Sequence, residues 1–364
     1  MATGRLESIW KIHLGDLGWS ERPILQYMLS LAESTRSGYN RELERCRYFC
    51  EENGVCFPPQ CSATLANYLC TIADASDRPR SRLSTVIAAL SSVYAHSGLM
   101  DLTKDTCINR LITALVKSST VAPMKKSSTL PVEVITQMFM SWGSNDKLSI
   151  HNLRLKALAL LALALMLRPS DVAPKATIFD HITGEEKGMI FTTDMLKFED
   201  GVVHITLMGI KNDRNRTGFQ ISLPKHENSI LDPVQTLADY IESTEHLRTD
   251  KGVFISLNKP HKAISAAAIA KILDKCITLA GLDGMGYSAK SFRPTGATRA
   301  IEQGIDPDIV QKMGRWKSTE VFREHYVHTR TPASFATAIL NSGSDTPEFN
   351  MLQKKTEMET IPLT

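Results

Sequence analysis

The stretch "MGRWKSTEVFREHYVH", Met313 to His328, mixes cations and aromatics and offers almost no apolar stripe to bury. Trp316 stands between Arg315 and Lys317, and Tyr326 follows His325 with His328 close behind. Of the residues three or four positions from Tyr326, only Phe322 is apolar. A core helix would not carry so many cations, and a fully solvated helix has no use for a tryptophan. One reading is a buried tyrosine whose hydroxyl is hydrogen-bonded. The other is a reactive phenol set among donors, and the rest of the chain has to supply its partners.

With 364 residues, the chain is long enough for two domains, each with its own core. An apolar fraction of 43% with 22% charged residues is that of an ordinary globular protein. The net charge of +3 neither demands nor excludes a polyanionic partner, so placement matters more than balance. From Lys290 to Arg330 there are eight Lys or Arg against five acids, most of them flanking the aromatic positions. Seven cysteines, six of them from Cys46 to Cys107, invite a disulfide or zinc reading. Cys46 and Cys50 fall at helical core spacing beside Tyr39, Leu43 and Phe49, and no C-x-x-C pair accompanies them. An odd count without a signal peptide points to a reducing, intracellular compartment. The apolar run Ala157–Leu167 is 11 residues long, too short for a bilayer, and reads as a buried central helix with an arginine at its end.

The first ~118 residues read as a bundle of four or five helices. One starts at a Ser34 or Thr35 cap and stops at Gly54, another starts at Ser62, and a third ends at Gly98. "SSTVAPMKKSSTLP", Ser118 to Pro131, has linker chemistry. The expected division is a helical domain over 1–120, a linker over 121–131, a mixed domain over 132–342 and a tail over 343–364. In the mixed domain helices are expected over 132–142, 150–167, 231–243 and 264–280, with further helical pieces to about 340. Strands are expected over 188–193, 202–208 and 217–223, the last two joined by the hairpin tip "GIKNDRNR".

Four places here hold candidate chemistry, each with a bland counterpart. Arg168 closes the apolar helix in "LRPSDVA", where a salt bridge to Asp171 is the plain alternative to an open guanidinium. Lys211 sits at the hairpin tip beside Arg214 and Arg216, as a solvated turn residue or as a lever into a groove. In "AKSFRPTGATRA", Lys290 and Arg293 share a face if the segment is helical, and with Thr295 they suit an anion. Trp316 and Tyr326 complete the set. Together they make coherent phosphoryl-transfer chemistry. Two arginines clamp non-bridging oxygens, an indole N–H or a lysine adds a donor, a lysine protonates a leaving alkoxide, and a tyrosine attacks phosphorus. This chemistry needs no metal or other cofactor, and no acidic cluster fit to hold a metal is visible.

The order Arg168, Lys211, Lys290, Arg293, Trp316, Tyr326 resembles the tyrosine recombinase (phage integrase) family. "LRPSDVA" resembles its first arginine motif, "KSFRPTGAT" its second, and "GRWKSTEVFREHY" its closing box. Lys290 and Pro294 stand where the family usually has histidines, and the spacing of ten from Trp316 to Tyr326 is more like recombinases of eukaryotic mobile elements. The resemblance, over roughly residues 30 to 330, implies a mainly helical chain with a small antiparallel sheet. A core-binding domain and an α+β catalytic domain would form a C-shaped clamp on DNA. It implies Tyr326 as nucleophile, a 3′-phosphotyrosyl intermediate, and a homotetramer on paired double-stranded recombination sites. A membrane or a small-molecule substrate has no place in it, and a eukaryotic host would put the protein in the nucleus. The Lys290 and Pro294 departures leave a catalytically silent DNA-binding protein open, and a type IB topoisomerase-like relaxase would share the chemistry.

Overall fold

The computed structural model describes residues 5–77, 79–119, 128–174, 178–179, 186–187, 191–208 and 218–327. Its contacts divide the chain into two compact units, Met1–Met124 and Lys125–Thr364. The expected tail, the hairpin tip with Lys211, and most of the expected linker lie outside the described residues.

The first unit is helical: α1 Leu6–Asp16, α2 Glu21–Met28, α3 Glu33–Glu52, α4 Ser62–Asp74, α5 Pro79–Tyr94 and α6 Thr106–Ser118. Its core is built on the faces that helical spacing sets inward, with Leu43, Cys46 and Cys50 of α3 against Leu65, Leu69 and Ile72 of α4 and Leu83 and Leu90 of α5. The start of α3 corrects the sequence reading. The helix begins at Glu33 after Ala32, without a side-chain cap, so Ser34 and Thr35 lie inside it. Its end agrees, at Gly54 with φ +63°.

The second unit begins with α7 Val132–Trp142 and α8 Ile150–Ala164. Helix α8 is apolar on every side, and Leu153 to Ala162 are almost all buried, because α9 Pro233–Thr244, α10 Ala266–Leu279 and α11 Phe292–Glu302 pack around it. Lys156, buried in its middle, donates to Asn145 Oδ1 at 2.7 Å, and Asn145 in turn donates to Asp239 at 2.7 Å. At Gly296 an added Cβ would come 2.3 Å from the Leu163 carbonyl oxygen, so a glycine there lets α11 touch the last turn of α8.

After a two-residue ladder of β1 Ile178–Phe179 and β2 Glu186–Lys187, a three-stranded antiparallel sheet runs in the order β3 Leu196–Glu199, β4 Val202–Leu207 and β5 Phe219–Pro224. Val203, Ile205 and Leu207 of β4 turn inward with period two. The strand expected over 188–193 is replaced, within its described part, by an isolated bridge between Thr192 and Gly252 and a 3-10 turn over Thr193–Met195. The third strand is β3, joined to β4 by the two-residue turn Asp200–Gly201, with φ +48° and +75°. That is the primed turn an Asp-Gly pair favours. The chain then continues into α12 Pro307–Met313 and α13 Thr319–Tyr326.

Candidate active site

Helix α8 stops at Ala164, four residues before Arg168, which therefore lies beyond the helix rather than on it. The stop is a Schellman turn: Leu167 N–H bonds to Ala162 O at 3.2 Å, Met166 N–H to Leu163 O at 3.4 Å, and Met166 takes φ +50°. A left-handed residue there swings its carbonyl out of the helix path. Helix α12 ends in the same way. Trp316 N–H bonds to Gln311 O at 3.1 Å, Arg315 N–H to Lys312 O at 3.0 Å, and Arg315 takes φ +62°.

Arg293, on the first turn of α11, is 3% exposed. Its terminal nitrogens donate to the Met166 and Gly314 carbonyls, the products of those two helix ends. Arg315, 6% exposed, donates to Leu165 O and Met166 O at 3.2 Å each and to Asp171 Oδ2 at 3.4 Å. Cations on the free carbonyls at a helix C-terminus also meet the negative end of its dipole. Asp171, 1% exposed, accepts the Arg168 backbone N–H at 2.9 Å and lies 3.9 Å from the Arg168 guanidinium. The plain Arg168–Asp171 pair is thus present but loose, and the tighter side-chain partner of Asp171 is Arg315. Sequence reasoning missed that role, although Arg315 sits in the motif itself, beside Trp316.

Three guanidiniums share one carboxylate. Burial first, then the charges of Arg168 and Arg315, lower the pKa of Arg293. Burial also lowers that of Arg315, against the pull of Asp171. A guanidinium does not lose its proton in a protein. The lowering instead reflects buried positive charge that one carboxylate does not balance. Among the described residues, the buried Arg293 Nε and Trp316 Nε1 have no hydrogen-bond partner.

The Arg293 guanidinium carbon lies 4.1 Å from the centre of the Trp316 ring and 5.6 Å from that of Tyr326, and the two rings are 4.7 Å apart. Trp316 is seated flat on its own turn: a Cβ on Gly314 would fall 1.6 Å from its ring. The opening stretch therefore does bury apolar surface, contrary to its reading in sequence. Trp316 and Phe322 form a small core with Met166, Ala297 and Val310, and Tyr326 packs against it half-buried. Burying one phenylalanine such as Phe322 is worth about 2–3 kcal/mol.

Two further expectations change. Lys290 and Arg293 do not share a helix face: Lys290 sits exposed in a 3-10 turn, Ala289–Ser291, whereas Arg293 is buried on α11. Thr295 is not an anion ligand, because its hydroxyl accepts from Leu130 N–H at 2.7 Å and donates to Ser291 O at 2.6 Å. Pro294 falls in the first turn of α11, where a missing N–H breaks no helical bond. Arg168, Arg293, Trp316 and Tyr326 come together; Lys211 is outside the described residues. Within those residues, no group of His, Cys, Asp and Glu is placed to hold a metal ion, and no helix is long and apolar enough to cross a membrane.

Residues 187–332 match the model of the phage integrase family. A relative, "Integrase/recombinase xerD homolog" of Selenomonas ruminantium, is 24% identical over 301 residues, 81% of this chain and 82% of that protein. Among solved structures, XerH site-specific recombinase bound to difH substrate in a pre-cleavage complex superposes with a TM-score of 0.56 at 15% identity, covering 90% of this chain and 87% of the other. The Tn1549 transposon integrase in complex with transposon right end DNA gives 0.54 at 13% identity, covering 95% and 99%. The lambda integrase dimer bound to a COC′ core site gives 0.52 at 14% identity, covering 85% and 95%. These likenesses show the fold.

Proposed function

We propose, for a chain that belongs to the tyrosine recombinase (phage integrase) family, that it breaks and rejoins DNA strands through Tyr326 in site-specific recombination or mobile-element integration. The observation that carries this reading is the arginine cluster around Arg293, with more cations than carboxylates, two unpartnered buried donors and the Tyr326 ring beside it. Such a site is built for a phosphate next to a phenol.

In this reading Arg168, the more open guanidinium at 27% side-chain exposure, meets the non-bridging oxygens. Arg293 and Trp316 add N–H groups that are already fixed in place. Their fixed positions matter, because donors that need not reorganise stabilise the developing charge most. Tyr326 attacks phosphorus, forming a 3′-phosphotyrosyl bond and releasing a 5′-hydroxyl, which later reverses the step. Exposed Lys290 donates to a non-bridging oxygen. Lys211 is the general acid for the leaving 5′-oxygen. The helical unit adds DNA contacts as a core-binding domain over 1–120, and the catalytic domain spans 132–342, ahead of a C-terminal tail over 343–364. Four protomers assemble on two sites, in the nucleus if the host is eukaryotic.

The test of the nucleophile uses a nicked duplex that traps the covalent product. Tyr326→Phe should abolish the protein–DNA adduct and leave DNA affinity nearly unchanged. An adduct that persists removes Tyr326 from the role, and wild-type protein that binds DNA without any adduct selects a silent DNA-binding protein. For Lys211, a substrate with sulfur at the bridging 5′ position discriminates, since a thiolate leaves without a proton. Lys211→Ala should recover much of its rate on that substrate, and the role fails if it does not.

A further inference from the structure

A second cationic site lies at the other end of α8. There a cavity of about 230 Å³ is lined by His151 and Arg154 of α8, Lys271 and Ile272 of α10, and the loop carrying Ser256 and Asn258. Among the described residues, no acid lines it. Arg154 is half-buried and donates to Ile255 O at 2.8 Å, while its buried Nε has no partner. No carboxylate pairs with this guanidinium among the described residues, and burial lowers its pKa with only the Tyr240 phenol opposing. Half-burying a guanidinium with nothing to neutralise it is expensive unless an anion completes the site. Lys271 and His151 stand exposed at its rim. From Arg154 to Met166 is about 18 Å along the helix direction, at ~1.5 Å per residue, so one phosphate cannot serve both places.

We infer that this cavity binds a tetrahedral oxyanion of the phosphate class, held by Arg154 and Lys271. The fit is to a small ion: the volume falls below the roughly 300–1,000 Å³ of pockets that enclose drug-sized ligands. A planar guanidinium and an ammonium lining one cavity without an acid offer the pairing that such an anion recognises. Two sources offer this chemistry, free phosphate groups and the phosphodiester backbone of nucleic acid. The site does not depend on the Tyr326 reading and would stand if that failed.

The experiment titrates inorganic phosphate into the full chain by calorimetry, with DNA binding followed against salt in parallel. The wild type should bind phosphate at two sites. Lys271→Ala, a change at an exposed residue, should weaken one of them at least tenfold, and Arg154→Gln should do the same. If DNA displaces the phosphate and Lys271→Ala lowers the salt slope of DNA binding by about one, the occupant is a backbone phosphodiester. If the phosphate stays bound under saturating DNA and the slope is unchanged, it is a free phosphate. If neither phosphate binding nor the salt slope changes in Lys271→Ala, the site does not exist. The Lys271→Ala result decides this even should Arg154→Gln fail to fold.

Discussion

Helices α10 and α11 end on Gly281 and Gly304, whereas α8 and α12 end on Met166 and Arg315 with the same backbone turn. Glycine also occupies that position in α1 and α3, at Gly18 and Gly54. In all six the residue two past the cap bonds back into the helix and the residue between takes positive φ. Glycine adopts that conformation freely, and any other residue is disfavoured there by about 1–2 kcal/mol. The ordinary ends obey this preference. The two exceptions both build the arginine cluster, as expected if strain persists where surrounding structure imposes it for use. Met166 contributes a carbonyl to Arg293 and Arg315 and a buried side chain to the Trp316 cluster. Arg315 sends its guanidinium from one helix end to the carbonyls of the other and to Asp171. A glycine at Arg315 would relax the backbone and forfeit the guanidinium's bonds, whereas at Met166 it would keep the carbonyl and lose only the buried side chain.

The largest expected effect comes from the residue that both strained ends hold. Arg293→Lys keeps the charge but cannot reach the Met166 and Gly314 carbonyls together while presenting further N–H groups. Cleavage of the nicked substrate should fall by a factor on the order of 10² or more, corresponding to ~3 kcal/mol of transition-state stabilisation. Cleavage within a few-fold of wild type would mean that the two helix ends do not serve catalysis.

Arg315 separates strain from contact. Arg315→Ala leaves Asp171 buried with only the looser Arg168, and should destabilise the second unit by about 3 kcal/mol, the lower range for breaking a buried pair. Arg315→Gly loses the same contact but accepts φ +62° without strain, so it should be about 1 kcal/mol more stable than the alanine variant. Denaturant unfolding of both proteins measures the difference. Equal stabilities would show that the left-handed turn at Arg315 costs nothing.

Much of the site was legible in sequence because its parts are short local patterns. Arg168, Arg293, Trp316 and Tyr326 each sit in a motif whose chemistry can be read from a few neighbours. What escaped depends on long-range geometry. The pairing of Arg315 with Asp171 spans 144 residues, and the swing of the Met166 carbonyl needs a left-handed turn that methionine does not announce. Thr295 looked like an anion ligand because its hydroxyl is polar and near Arg293, but tertiary packing gives that hydroxyl to Leu130. In the fold, the interiors of α7, α8 and α10 followed their apolar spacing, while β3 was missed because three of its four residues are exposed and show no alternation. The Asp200–Gly201 pair before β4 was the signal that could have found it.

The smallest effect is the control on which the comparison rests. At Gly304 an added methyl meets nothing within 4 Å, so Gly304→Ala reports the cost of the left-handed backbone alone, at φ +85°. It should destabilise the protein by about 1 kcal/mol, which in a unit of this size lowers Tm by roughly 2–4 °C. Cleavage per folded molecule should not change, because Gly304 closes α11 at the end opposite Arg293. Gly304→Asn should lose less, since asparagine enters this region more readily than alanine. The ranking Gly, Asn, Ala is thus the yardstick for Met166 and Arg315. A Gly304→Ala variant as stable as wild type would show that this turn tolerates a side chain at no cost in this protein. The methionine and arginine at the site would then be ordinary helix ends, and their coincidence with the arginine cluster would carry no energetic meaning.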